Sequence, residues 1–114
     1  MKPTQQIEFS TNWNKKLYAH YFTTIRLTNY AKYHVGGLFK IIKKEDYLFD
    51  ALIVSIRYCK IDDLPEFTCY TDTGYPKAET IKMLKQMYSK KNIDWNTQLL
   101  SIILLESLQW EKPQ

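Results

Sequence analysis

The stretch that decides the fold is WNKKLYAHYFTTIRLTNYAKYHVGGLFKII, which runs from Trp13 to Ile42. Trp13 and Leu17 are four residues apart, so they would share one face of a short helix. Ser, Thr and Asn side chains precede Trp13 and can accept hydrogen bonds from the first backbone N–H groups. We therefore expect a helix over residues 13–20.

Two strands are predicted after this helix. From Phe22 to Leu27 the residues are β-branched or aromatic, so the pattern changes from helical to extended and Arg26 falls within a strand. Gly36 and Gly37 then indicate a turn. The turn leads into a second strand over residues 38–43, after which a tight turn at residues 44–46 reverses the chain.

A long strand follows and should end at Cys59. In it Leu52, Val54, Ile56 and Tyr58 alternate with Ala51, Ile53, Ser55 and Arg57. A period of two is typical of a sheet with one fully buried face. We expect the first set to form that face and Arg57 to lie on the more polar side.

The rest of the chain predicts one helix and one strand. Pro76 suits the start of a helix that continues to Tyr88, with an apolar stripe formed by Ile81, Leu84 and Tyr88. Leu99–Leu108 is apolar at nearly every position, which is typical of a strand covered on both faces.

Length and composition favour one domain, residues 1–114, with its core at about residues 7–108. Residues 1–5 and 110–114 are polar or contain proline and are predicted to be disordered. The N-terminus lacks the apolar run of a signal peptide, and no stretch is long enough to span a membrane, so we expect a cytoplasmic protein. Cys59 and Cys69 match neither a zinc site nor a disulfide scaffold, and the sequence predicts no metal and no cofactor.

The net charge of +4 is unevenly distributed. Residues 1–44 contain eight Lys or Arg and one Glu. Residues 45–76 contain two Lys or Arg and seven Asp or Glu, and residues 77–114 contain six Lys or Arg and four Asp or Glu. The corresponding net charges are +7, −5 and +2. A basic first segment would attract a polyanion with salt-dependent affinity, although surface lysines that only contact water would give the same count.

The order of these elements resembles the ASCH domain, a family of small PUA-like domains. Thr23-Thr24-Ile25-Arg26 resembles the family's Lys-x-x-Thr-x-Arg segment, and Gly36-Gly37 resembles its Gly-Asp turn, with Gly37 in place of the aspartate. The resemblance implies an α+β fold: a PUA-like mixed, mainly antiparallel β-barrel with two flanking helices.

Some ASCH relatives hydrolyse acetylated cytidine, and for them the family implies a lysine, a threonine and a glutamate in a cleft between barrel and helix. The threonine corresponds to Thr24. Tyr21 stands at the lysine position and Thr73 near the glutamate position, with Asp72 one residue away. Tyrosine is a poor base because its ordinary pKa is about 10. The replacements argue against catalysis and leave Thr24 and Asp72 as the candidate catalytic residues; His20 and His34 are less suitable bases.

Arg26 is the main candidate for ligand binding, because a guanidinium offers five donors in a fixed fork that suits phosphates and base edges. An ion pair with a carboxylate of the acidic middle segment is the alternative. The candidate binding residues are Tyr21, Thr24, Arg26, Lys32, Lys40 and Thr73. Aromatic residues around the basic segment, including Tyr18, Tyr30 and Tyr33, suit base stacking, but they also suit packing on a sheet.

Three functions agree with these patterns. The first is a non-catalytic module that binds RNA or a nucleotide-like ligand in the cleft. The second is a small amidohydrolase that acts on an acetylated or otherwise modified nucleoside. The third is a protein-interaction domain that regulates transcription or translation.

Overall fold

The computed structural model describes Pro3 and residues 5–109. It contains five strands, two α-helices and two short 3₁₀ helices within that part of the chain. In chain order they are β1 (Gln5–Phe9), a 3₁₀ helix (Trp13–Tyr18), β2 (Tyr21–Leu27), β3 (Leu38–Lys43), β4 (Asp46–Lys60), a 3₁₀ helix (Ile61–Asp63), α1 (Glu66–Thr73), α2 (Lys77–Met87) and β5 (Leu99–Ser107).

The strands form one curled sheet in the order β1-β3-β4-β5-β2. The pair β1/β3 is parallel, and the other three pairs are antiparallel. Curling brings the two edge strands together: the rings of Phe9 in β1 and Phe22 in β2 pack edge to face, 6.3 Å apart. No β1/β2 ladder closes the sheet within the described residues, so the architecture is a half-barrel. The α+β, PUA-like fold class predicted from the sequence is confirmed.

Apolar side chains cover both faces of this sheet. The inner core contains large residues from all five strands, among them Ile7, Phe22, Phe39, Phe49 and Ile103. The outer core packs the back of β2 and β5 against the helices. Its members include Ile25, Leu100 and the predicted α2 stripe of Ile81, Leu84 and Tyr88. Because β2 and β5 are covered on both faces, the prediction for the last strand is confirmed.

The buried face of β4 differs from the prediction. Ala51 and Ile53 are buried, whereas Val54 is exposed. The register with β5 shifts between Ile53 and Ser55, which marks a β-bulge. The bulge moves the inward position by one residue, so Ile56 packs against the inner core beyond it. A period-two pattern in the sequence cannot show this shift, because the neighbouring residues Ile53 and Val54 are both β-branched and apolar.

The helices also differ from the prediction. In place of the helix predicted over residues 13–20 there is a 3₁₀ helix, Trp13–Tyr18, which is interrupted by the left-handed residues Asn14 (φ 56°) and Lys15 (φ 53°). The helix α1 was not predicted, because its sequence EFTCYTDT has three β-branched residues and little apolar periodicity. The two α-helices that flank the sheet are therefore both contributed by residues 66–87.

Several other sequence predictions concern the ends of the chain and the cysteines. Residues 1, 2, 4 and 110–114 lie outside the described residues, so the disorder predicted there is not addressed; Pro3 is buried and Gln5 begins β1. Cys59 and Cys69 are both free thiols. Within the described part of the chain, no helix has the length and apolar content needed to cross a bilayer.

Neighbouring residues of β4 test the position of the bulge. Ile53→Ala should lower the free energy of unfolding by about 2–5 kcal/mol, because it leaves a cavity in the inner core. Val54→Ala should lower it by less than about 1 kcal/mol, because Val54 is exposed. Urea unfolding of both variants measures the difference, and equal losses would contradict the assigned face.

Candidate ligand-binding site

A cleft of about 520 Å³ opens where the two edge strands of the sheet approach each other. One wall is the end of β1 with Glu8 and Phe9, and the opposite wall is β2 with Thr24 and Arg26. The 3₁₀ helix Trp13–Tyr18, the two α-helices, the residues that follow β1 and the turn between β3 and β4 supply the rest of the lining. The cleft is the gap in the half-barrel that no strand pairing fills.

Arg26 spans this gap. Its Nη2 donates to the carbonyl oxygen of Glu8 at 2.6 Å, and its Nε donates to Thr24 Oγ1 at 2.9 Å. The guanidinium also lies 4.8 Å from the centre of the Phe9 ring, a cation–π contact. These contacts fix the fork and use two of its five N–H groups, so further donors are available to a ligand in the cleft. No carboxylate of the described residues forms an ion pair with Arg26.

A buried ion pair forms the inner end of the cleft. Lys16 Nζ donates to Asp72 Oδ1 at 3.1 Å, and the Thr23 hydroxyl donates to the same oxygen at 2.6 Å. Lys16 is 8% exposed and Asp72 is 2% exposed. Both side chains line the cleft. The pair joins the 3₁₀ helix to the end of α1, with β2 between them.

The left-handed residues before Lys16 help to explain how a lysine becomes buried there. Asn14 donates its side-chain amide to the carbonyl oxygen of Thr71 at 3.0 Å, near the end of α1. Asn12 Oδ1 accepts from the backbone N–H of Leu17 at 2.8 Å. These contacts fix both ends of the kinked segment, so Lys16 points inward beside the buried Leu17.

Burial lowers the pKa of Lys16 from its ordinary value of 10.5. The charged ammonium loses more free energy of hydration than it gains by its attraction to Asp72. The nearby positive charge of Arg26 acts in the same direction. Arg26 and Lys16 therefore face one cleft in which Asp72 is the buried carboxylate. Other charged residues line it from exposed positions, namely Lys44, Glu8 and Glu45. An anionic ligand would stabilise both cations.

Aromatic and apolar groups lie beside these charges. Trp13 and Met87 line the cleft, and Met87 is half exposed. Phe9 holds Lys16 Nζ 5.4 Å from its ring centre as well as contacting Arg26. The cleft therefore combines planar apolar surface with the positive charges of Lys16 and Arg26 and the hydroxyl of Thr24.

Comparison with solved structures identifies the architecture. An ASCH domain from Lactobacillus crispatus JV V101 superposes with a TM-score of 0.66 at 14% identity, covering 82% of this chain and 68% of that one. The chain has the ASCH-domain fold. A protein of Enterococcus faecalis V583 described under the DUF984 family gives a TM-score of 0.67 at 9% identity, covering 100% of this chain and 87% of that one. No protein-family model and no curated protein matches the sequence.

Within this ASCH fold, four of the predicted site residues line the cleft: Thr24, Arg26, Asp72 and Thr73. Thr73 is buried, and its hydroxyl lies 2.9 Å from both the Cys69 carbonyl oxygen and Thr80 Oγ1. These contacts join the end of α1 to the start of α2, so Thr73 has a clear structural role at the edge of the cleft.

The other three predicted residues lie outside the cleft. Tyr21 is 49% exposed and directs its hydroxyl to Glu106, because alternation along β2 places it on the opposite face from Thr24. Lys40 is exposed on β3, and Lys32 lines a separate shallow surface with Asn29. Their place in the basic segment gave no information about the face they occupy.

Lys16, the cation at the inner end of the cleft, was not predicted from the sequence. The family pattern directs attention to the position of Tyr21, five residues later. The structure instead supplies a lysine from the 3₁₀ helix, because the two left-handed residues turn it inward. Asn14 was the available signal, since asparagine adopts the left-handed conformation more readily than most residues.

The two histidines do not contribute to this cleft. His20 Nε2 lies 3.0 Å from Glu106 Oε2, at the far end of β2 and β5. His34 is exposed in the loop before β3.

A pair of substitutions tests the energetic role of the ion pair. Lys16→Met should lower the free energy of unfolding by about 3–5 kcal/mol, because it leaves the Asp72 carboxylate buried without a counterion. Adding Asp72→Asn removes that charge and keeps an acceptor for Thr23, so the double variant should lie within about 1 kcal/mol of the native protein. Urea unfolding of the two variants measures this, and a double variant no more stable than Lys16→Met would contradict it.

Proposed function

We propose that the cleft binds a nucleotide-like anionic ligand, either a free nucleotide or one nucleotide of an RNA chain. The observation that carries the proposal is the fixed guanidinium of Arg26, with donors directed to no described residue, beside the buried ammonium of Lys16. A guanidinium held in this way suits a phosphate, which accepts two parallel N–H bonds.

The size and lining of the cleft support the same ligand class. A volume of about 520 Å³ lies within the usual range for small-molecule sites. Trp13 offers aromatic surface to a base, while Thr24 offers a hydroxyl to its polar edge. Arg26 forms no ion pair with a described carboxylate, so a neutral apolar ligand would leave its charge uncompensated. The cleft is better suited to a ligand that has both a ring and a negative charge.

The charge of the surrounding chain adds attraction at longer range. Residues 1–44, which supply β1, the 3₁₀ helix and β2, have a net charge of +7. Such a segment raises the local concentration of a polyanion, and its effect weakens as salt is added. The contacts inside the cleft would persist at higher salt, because buried charges are screened less.

Fluorescence anisotropy with labelled single-stranded RNA tests the proposal. At about 150 mM salt we expect binding by the native chain and a loss of at least about tenfold in affinity in Arg26→Gln. Arg57→Gln is the matched control, because it removes the same charge from an exposed position of β4 that does not line the cleft.

Arg26 also connects two strands, so a stability measurement must accompany the binding data. Arg26→Lys keeps the positive charge and loses the fork; it should bind less tightly than the native chain and more tightly than Arg26→Gln. Equal affinity in all four proteins, or equal losses in Arg26→Gln and Arg57→Gln, would contradict binding in the cleft.

A second candidate function is hydrolysis of an acylated nucleoside, and one observation favours it. Lys16 has a lowered pKa, and it lines the same cleft as the hydroxyl of Thr24 and the carboxylate of Asp72. A lysine with a lowered pKa supplies a neutral amine at lower pH, which is the form a general base requires. Lys16 would therefore take the role of the family's lysine, whose position in the sequence is occupied by Tyr21.

The pH dependence of activity tests this second candidate with N4-acetylcytidine as substrate. Because the neutral amine acts as the base, kcat/KM should rise with pH, with a midpoint below the ordinary lysine value of 10.5. Thr24→Ala and Lys16→Met should each abolish this activity. A native protein without turnover would exclude the activity on this substrate, and turnover that survives in Lys16→Met would exclude Lys16 as the base.

A further inference from the structure

A second recess, of about 250 Å³, lies on the outer side of β2. Lys15, Lys16, Tyr21, Thr23 and Thr71 contribute to its lining. It is separate from the cleft, although the two cavities share one residue, Lys16.

The shared residue follows from the geometry of β2. Thr23 and Thr24 are consecutive in the strand, so their side chains point to opposite faces. Thr24 lines the cleft and Thr23 lines the recess. Lys16 and Asp72 lie between them, and the hydrogen bond from Thr23 to Asp72 forms part of the partition. A ligand that occupies both cavities would pass Lys16, the residue that lines both.

The recess has its own aromatic surface and its own cation. Tyr21 is 49% exposed, and its ring rests against the imidazole of His20 at 4.3 Å between centres. The hydrogen bond to Glu106 further restricts the ring. Lys15 is exposed at the rim and forms no ion pair with a described carboxylate. An aromatic ring that is held in place beside a lysine is the arrangement that stacks a base next to a phosphate contact.

We infer that the recess holds a second nucleotide, so that the ligand of the cleft is a residue within an RNA strand and Lys16 contacts the phosphate between the two nucleotides. The inference rests on the proposed function of the cleft. One ammonium donor is used by Asp72, and an ammonium has three, so Lys16 can contact a phosphate without losing its partner. The base of the second nucleotide stacks on Tyr21, and Lys15 contacts its outer phosphate.

Isothermal titration calorimetry with two sets of probes tests the inference. The first set is the four nucleoside 5′-monophosphates, and the second is the four 5′-phosphorylated homodinucleotides of RNA. At least one dinucleotide should bind about tenfold more tightly than its monophosphate, because the second base adds a stacking contact.

Variants at exposed tyrosines separate the recess from the cleft. Tyr21→Ala should remove the advantage of the dinucleotide and leave the affinity for the monophosphate unchanged. Tyr47→Ala is the matched control, because Tyr47 is 57% exposed on β4 and lines neither cavity; it should change neither affinity.

Each failure has a distinct pattern. Equal affinity for the two probe sets, or a dinucleotide advantage that survives in Tyr21→Ala, would overturn the second site while the cleft retains its proposed function. A native chain that binds neither set would overturn the proposed function and the second site with it.

Discussion

The side chain of Arg26 connects the two open edges of the sheet, and the rest of the site depends on that connection. A curled five-stranded sheet that does not close has unpaired backbone groups along both edges. Arg26 satisfies one of them, the carbonyl oxygen of Glu8, from the opposite edge strand. Phe9 and Phe22 pack across the same gap. The edges are thus close enough to form one cleft, and they remain unpaired over the stretch where a ligand could enter.

The buried ion pair sets the character of this cleft. Taking Lys16 out of water is unfavourable, and its attraction to Asp72 offsets only part of that loss, so the pKa of Lys16 is lowered. Apolar residues of similar volume would satisfy the packing of the fold equally well. The chain nevertheless uses two left-handed residues, each unfavourable in itself, to direct a lysine inward. The ligand-binding role proposed for the cleft would account for this arrangement.

The sequence was sufficient to predict the elements whose patterns are strong and local. Strand β3, the apolar stripe of α2 and the doubly covered β5 were predicted because turn residues bound them and their apolar spacing is clear. The bulge in β4 was beyond prediction, since Ile53 and Val54 are interchangeable as sequence signals and differ only in their cross-strand neighbours. Arg26 and Thr24 were found because they belong to one strand, whereas Lys16 reaches the cleft through a tertiary contact with α1. Tyr21 was placed in the cleft by the family pattern, although its spacing of three residues from Thr24 puts the two side chains on opposite faces of β2.

The ASCH-domain fold is shared with solved structures at 14% identity or less, so it defines the architecture and leaves the ligand to be established from the cleft. The most direct test is an NMR titration of isotope-labelled protein with short single-stranded RNA. The account predicts shifts concentrated on the Trp13 indole, the Arg26 side chain and the backbone amide of Thr24. Shifts confined to exposed lysines that do not line the cleft, such as Lys40, would contradict it, and so would a spectrum that does not change.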